Sequence, residues 1–102
     1  EAGYRALLPP DARLDVAARI ALSVGFYRPV SHALRVRCPV LVQICELDSV
    51  APAAAAETVA RHLGERGEVL CNQTGHFEPY TGTWFERSVG DQVDFLRRHL
   101  GA

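Results

Sequence analysis

Two rhythms of apolar and polar positions run along this chain. Val40, Leu41, Val42 and Ile44 are nearly continuous and partly β-branched, which predicts a strand over 39–45 covered on both faces. Pro39 opens that strand, where a missing N–H is tolerated. A second strand is expected over 68–72, in Glu68-Val69-Leu70-Cys71-Asn72. Between them, Pro52 suits a first helical turn, and alanines and good helix formers carry a helix over 52–64, closed by Gly64 and Gly67.

Helical spacing governs both ends of the chain. Leu14, Ala17, Ala18, Ala21 and Leu22, with a second stripe of Val16, Ile20, Val24 and Tyr27, predict a helix over 11–28 that Pro29 ends. A short helical turn is expected at Ser31–Leu34. Phe85, Val89, Gln92/Val93, Leu96 and Leu100 trace one face of a closing helix over 83–100, entered by a Thr83/Glu86 capping box.

Strand, helix and strand within about 30 residues is the size of a βαβ unit, so the expected class is α/β with parallel strands. Two strands leave the first with a neighbour on one side only, and an open parallel edge exposes unpaired backbone groups. That predicts a piece of a larger, doubly wound sheet, whose missing N-terminal half, or a second copy of the chain, covers the edge. The chain begins at Glu1 and contains no methionine, which fits a single C-terminal fragment over 1–102.

Composition removes several classes. A net charge of -1 gives no electrostatic reason to expect nucleic acid or an anionic membrane as partner. No apolar run approaches the roughly 20 residues of a membrane span. Cys38, Cys45 and Cys71 are odd in number and form no CxxC pair, as expected of reduced thiols in a cytoplasmic protein. His32, His62, His76 and His99 are scattered without ligand spacing, so neither a metal nor another cofactor is expected.

The chemistry concentrates at the strand ends. Asp48 follows the first strand and His76 the second, and a right-handed crossover brings both ends to one edge of the sheet. A carboxylate bonded to one imidazole nitrogen fixes the tautomer and stabilises the imidazolium formed when the other nitrogen takes a proton. Gly75 frees the backbone for a sharp loop before His76. Alone, Asp48 reads more readily as a turn residue and His76 as a loop histidine, and it is their pairing in register that reverses this. Glu46 is the competing acid, expected on the opposite side of the strand.

Three phrases then resemble a family: Cys38-Pro39-Val40-Leu41-Val42, Glu46-Leu47-Asp48-Ser49-Val50-Ala51-Pro52 and Gly75-His76-Phe77. In order and spacing they resemble the C-terminal third of α/β-hydrolases, especially bacterial serine esterase-, peptidase- and dienelactone-hydrolase-like members. The resemblance implies Asp48 as triad acid, His76 as general base, and a parent enzyme cleaving a small ester, amide or related substrate. It places the nucleophile upstream, which leaves the fragment inactive alone.

Within the chain the candidates for that nucleophile are poor. Ala21-Leu22-Ser23-Val24-Gly25 resembles a degenerate nucleophile elbow, but an elbow needs a strand before the serine and a helix after it. Cys45 and Cys71 lie in strand-like runs, where free cysteine behaves as a small hydrophobe. Trp84, Phe85, Phe77 and Tyr80 are available as an acyl pocket or as core. The competing reading is a self-sufficient α/β binding module, dimeric through its open edge, in which the Asp–His pair is incidental.

Overall fold

A computed structural model describes residues 2–101. Its centre is a βαβ unit: β1 (Val40–Cys45), α2 (Ala53–Leu63) and β2 (Gly67–Asn72), preceded by a short helix α1 (Ala2–Leu7) and followed by α3 (Gly82–Leu100). Among the described residues β1 and β2 form a two-stranded parallel sheet in register from Val40 opposite Gly67 to Cys45 opposite Asn72. Both strands, the α2 helix and the closing helix lie within a residue or two of the expected spans.

Glycine ends α2. Gly64 takes φ 58 and ψ -128, which only a residue without Cβ adopts comfortably, and a 3-10 turn at Gly64–Arg66 leads into β2. Gly67 brings β2 against α2, since a Cβ there would stand 3.0 Å from the Leu63 Cβ. Beyond the strands the ladder continues, with the Glu46 N–H donating to the Asn72 carbonyl at 2.9 Å and the Leu47 N–H to the Thr74 carbonyl at 3.0 Å. These two bonds carry the rigid geometry of the sheet into the loops that hold Asp48 and His76.

Alternation along β1 separates the two helices. Val40 faces a hollow lined by Ala56, Val59 and Leu63 of α2, whereas the Gln43 side chain donates to the Ser88 carbonyl of α3 at 3.1 Å and accepts from Gln92 at 2.7 Å. A two-bond ion pair from Arg98 to Glu68, at 2.7 and 2.9 Å, ties the end of α3 to β2. Among the described residues the buried apolar side chains are few: Ala33, Ile44, Leu63 and Phe95.

The expected N-terminal helix is corrected. The 11–28 segment holds no α-helix; it forms 3-10 turns at Ala18–Leu22 and Val24–Phe26. Its apolar stripes have nothing to pack against, Leu22 and Phe26 being 80% and 85% exposed, and a short helix draws most of its stability from tertiary packing. The helical turn expected at Ser31–Leu34 is present, as part of a 3-10 helix over Pro29–Arg35 held to α2 through the contact between His62 Nδ1 and the Val30 carbonyl.

The closing helix differs in its cap and its inward face. It starts at Gly82 with Thr81 as N-cap and no side-chain cap bond, so Thr83 and Glu86 form no capping box. Its inward stripe is Trp84, Ser88, Asp91 and Phe95, while Phe85, Val89, Val93 and Leu96 remain partly exposed beside it. That second stripe is left largely uncovered. Part of the uncovered stripe lines hollows alongside Gln43 of β1.

Candidate functional site

The loop after β1 folds around the Asp48 carboxylate. Oδ1 accepts the N–H groups of Val50 and Ala51, both at 2.8 Å, which turns the chain toward α2. Oδ2 is left for His76, whose Nδ1 lies 2.7 Å away. Asp48 is therefore a turn residue and a histidine partner at once, with one oxygen for each task. Its side chain is 7% exposed and that of His76 33%.

This arrangement sets the protons. Burial opposes ionisation of Asp48, but the Ala51 N–H, the His76 ring and the Val50 N–H outweigh it, holding the carboxyl below its ordinary value. An ionised carboxylate can only accept, so the hydrogen lies on Nδ1, and Nε2 of a neutral His76 is left as the basic nitrogen.

The His76 loop is short and internally bonded. The Gly75 N–H donates to Glu78 Oε1 at 3.0 Å, and a 3-10 turn at Glu78–Tyr80 follows. Gly75 takes no positive φ, contrary to the reading of it as a conformational release. The Phe77 ring meets the His76 ring edge-on with centroids 4.7 Å apart, and Tyr4 of α1 stacks obliquely on Phe77 at 5.4 Å. A cavity of about 480 Å³ borders the pair, lined by Ile44, Ala51, Ala55, Tyr80, Phe85 and Val89 among others.

Sequence reasoning missed Glu78 and Tyr4. Glu78 carries a readable signal, an acceptor three residues after a glycine in a histidine loop; the contact of Tyr4 with Phe77 has none.

The alternative groups lie elsewhere. Ser23 is exposed, sits between two 3-10 turns and directs its hydroxyl to the Ile20 carbonyl at 3.4 Å. No strand precedes it among the described residues, and the hollow it lines contains neither Asp48 nor His76. Cys71 has its thiol pushed up by burial and by the hydrogen bond and charge of Glu46, which suppresses the reactive thiolate. Phe85 and Tyr80 line the cavity beside the pair, whereas Trp84 belongs to the inward stripe of α3.

Comparison with known proteins gives relatives that match most of this chain. The chain is 42% identical over 100 residues to the quorum-quenching protein AidA of Acinetobacter baumannii (strain MDR-ZJ06), covering 94% of this chain and 32% of that protein. It is 30% identical over 93 residues to an uncharacterised 31.7 kDa protein of the traX-finO intergenic region of Escherichia coli, covering 89% of this chain and 32% of the relative. The chain thus spans about a third of the length of the curated relatives it matches. No family model matches, and no solved structure matches.

These findings correct the α/β-hydrolase resemblance. The relatives bear other descriptions, and the sheet seen here is that of a small α/β unit. The three phrases that carried the resemblance are what a βαβ unit with polar strand-end loops calls for in general: a proline opening a strand, an aspartate turn before a helix, and a glycine in a tight loop.

Proposed function

We propose that Asp48 and His76 are the acid and base of a hydrolytic site acting on an ester, amide or related bond. The observation that carries this reading is the 2.7 Å bond from His76 Nδ1 to an Asp48 oxygen whose companion oxygen is fixed by two backbone N–H groups. In it, Nε2 takes the proton of an attacking hydroxyl or thiol and returns it to the leaving group, while Asp48 holds the tautomer and offsets the imidazolium charge. The attacking group comes in this reading from polypeptide outside this chain, since Ser23 lines a hollow apart from the pair and the raised Cys71 thiol is held protonated. Quorum quenching, the role named for the A. baumannii relative, is met by a site that breaks a bond in a small signal.

The test is turnover of p-nitrophenyl esters by the full-length protein that carries these residues. His76→Ala should lower it by about two to four orders of magnitude at an unchanged circular dichroism spectrum; undiminished turnover overturns the proposal. The 102-residue chain alone should show none. Turnover by that chain which Ser23→Ala abolishes would overturn the assignment of the nucleophile to other polypeptide.

A second reading rests on the outer edge of β1, which pairs with no strand among the described residues and runs beside the uncovered stripe of α3. In that reading the chain is a binding module that dimerises edge to edge. Analytical ultracentrifugation decides whether the chain self-associates, and a cooperative melt of a dilute monomer counts against any need for a second copy.

A further inference from the structure

We infer that Glu78 is a positioning residue for His76, an inference that rests on the acid–base reading of the pair. His76 reaches Asp48 from a loop whose stem is fixed by the Leu47–Thr74 backbone bond. Three residues join Thr74 to the 3-10 turn at Glu78–Tyr80, and the first of them, Gly75, immediately precedes His76. Glu78 grips the Gly75 peptide, with Oε1 accepting its N–H at 3.0 Å. The backbone supports the same turn from the other side, with the Tyr80 N–H donating to the Phe77 carbonyl at 3.2 Å and the Thr81 N–H to the Glu78 carbonyl at 3.2 Å.

The loop is thus closed by a side chain where a longer turn would use a backbone carbonyl. A Cβ on residue 75 would stand 3.4 Å from Glu78 Oε1, an ordinary contact, so the hold of Glu78 is on the Gly75 N–H and not on the missing side chain. The grip acts on orientation. Asp48 accepts a bond only from an imidazole held at a fixed place, and a rotation of the Gly75 peptide moves the whole ring away from Oδ2.

Two measurements on the 102-residue chain test this. Hydrogen exchange reads the Gly75 amide, and a long-range proton–nitrogen correlation at alkaline pH reads which nitrogen of His76 carries the hydrogen. Glu78→Ala should speed Gly75 exchange about tenfold, the scale of one lost hydrogen bond to a charged group, and shift the ring from the Nδ1–H toward the Nε2–H tautomer. Glu78→Gln retains an acceptor oxygen and should restore most of both.

Unchanged exchange and tautomer in Glu78→Ala overturn the inference. So does Glu78→Gln behaving like the alanine variant. If the unaltered chain already prefers the Nε2–H tautomer, the acid–base reading fails and this inference fails with it. A clear Nδ1–H preference that ignores Glu78→Ala overturns the role of Glu78 alone.

Discussion

Asp48→Asn separates the two tasks of one side chain. The carboxylate accepts three hydrogen bonds, two from backbone N–H groups at Oδ1 and one from His76 at Oδ2. Asparagine keeps one oxygen, and the two backbone donors at 2.8 Å claim it, because the turn into α2 fails without them. The amide NH2 must then face His76 Nδ1, so a ring that donated has to accept. Its hydrogen moves to Nε2, the nitrogen that the mechanism needs free. The fold should survive, with an unaltered circular dichroism spectrum. Turnover of p-nitrophenyl esters by the full-length protein should fall by about 10⁴, the size of the same change in a serine protease with this constellation. Proton–nitrogen correlation on the chain itself should report the tautomer reversal. Near-normal turnover in a variant whose tautomer has demonstrably reversed refutes the reasoning, since the orientation of the histidine would then be irrelevant to the rate.

Other expectations follow from burial and charge. Asp48 and Glu68, the latter through its hydrogen bond to Arg98, both have folded-state pKa values below the ordinary carboxylate range. Their stabilisation is complete above the unfolded value, about 4, and is lost as pH falls through the lower folded values. Acid melts should therefore steepen below about pH 4, and Asp48→Asn should flatten that limb; an unchanged acid limb counts against the assignment. Because Glu46 is one cause of the raised Cys71 thiol, after burial, Glu46→Gln should speed alkylation of Cys71 by iodoacetamide, read by mass spectrometry, and leave ester turnover intact. Ile44→Ala, in a position 2% exposed, should cost about 3 kcal/mol in urea unfolding. Phe26→Ala, 85% exposed, should change stability by less than about 0.5 kcal/mol, and a larger loss would mean that the 11–28 segment is packed.

Much of the βαβ unit was legible in the residues because each of its signals is local. Val40–Ile44 form a strand wherever both faces are covered, and Pro52 and Gly64 punctuate α2 by backbone sterics alone. The order Asp48, helix, His76 implied that the two loops meet, since crossover handedness leaves parallel strand ends little choice. Tertiary structure decided the rest. The apolar stripes of 11–28 have the period of a helix, but a period states only which face could be buried. With no surface to receive them, those residues form 3-10 turns. On α3 the sequence offered Phe85, Val89 and Leu96, whereas the residues the fold buries are Ser88 and Phe95. At the site, residue types named the Asp–His pair. The division of the Asp48 oxygens between Val50, Ala51 and His76, and the hold of Glu78 on Gly75, depend on distances that spacing along the chain does not specify.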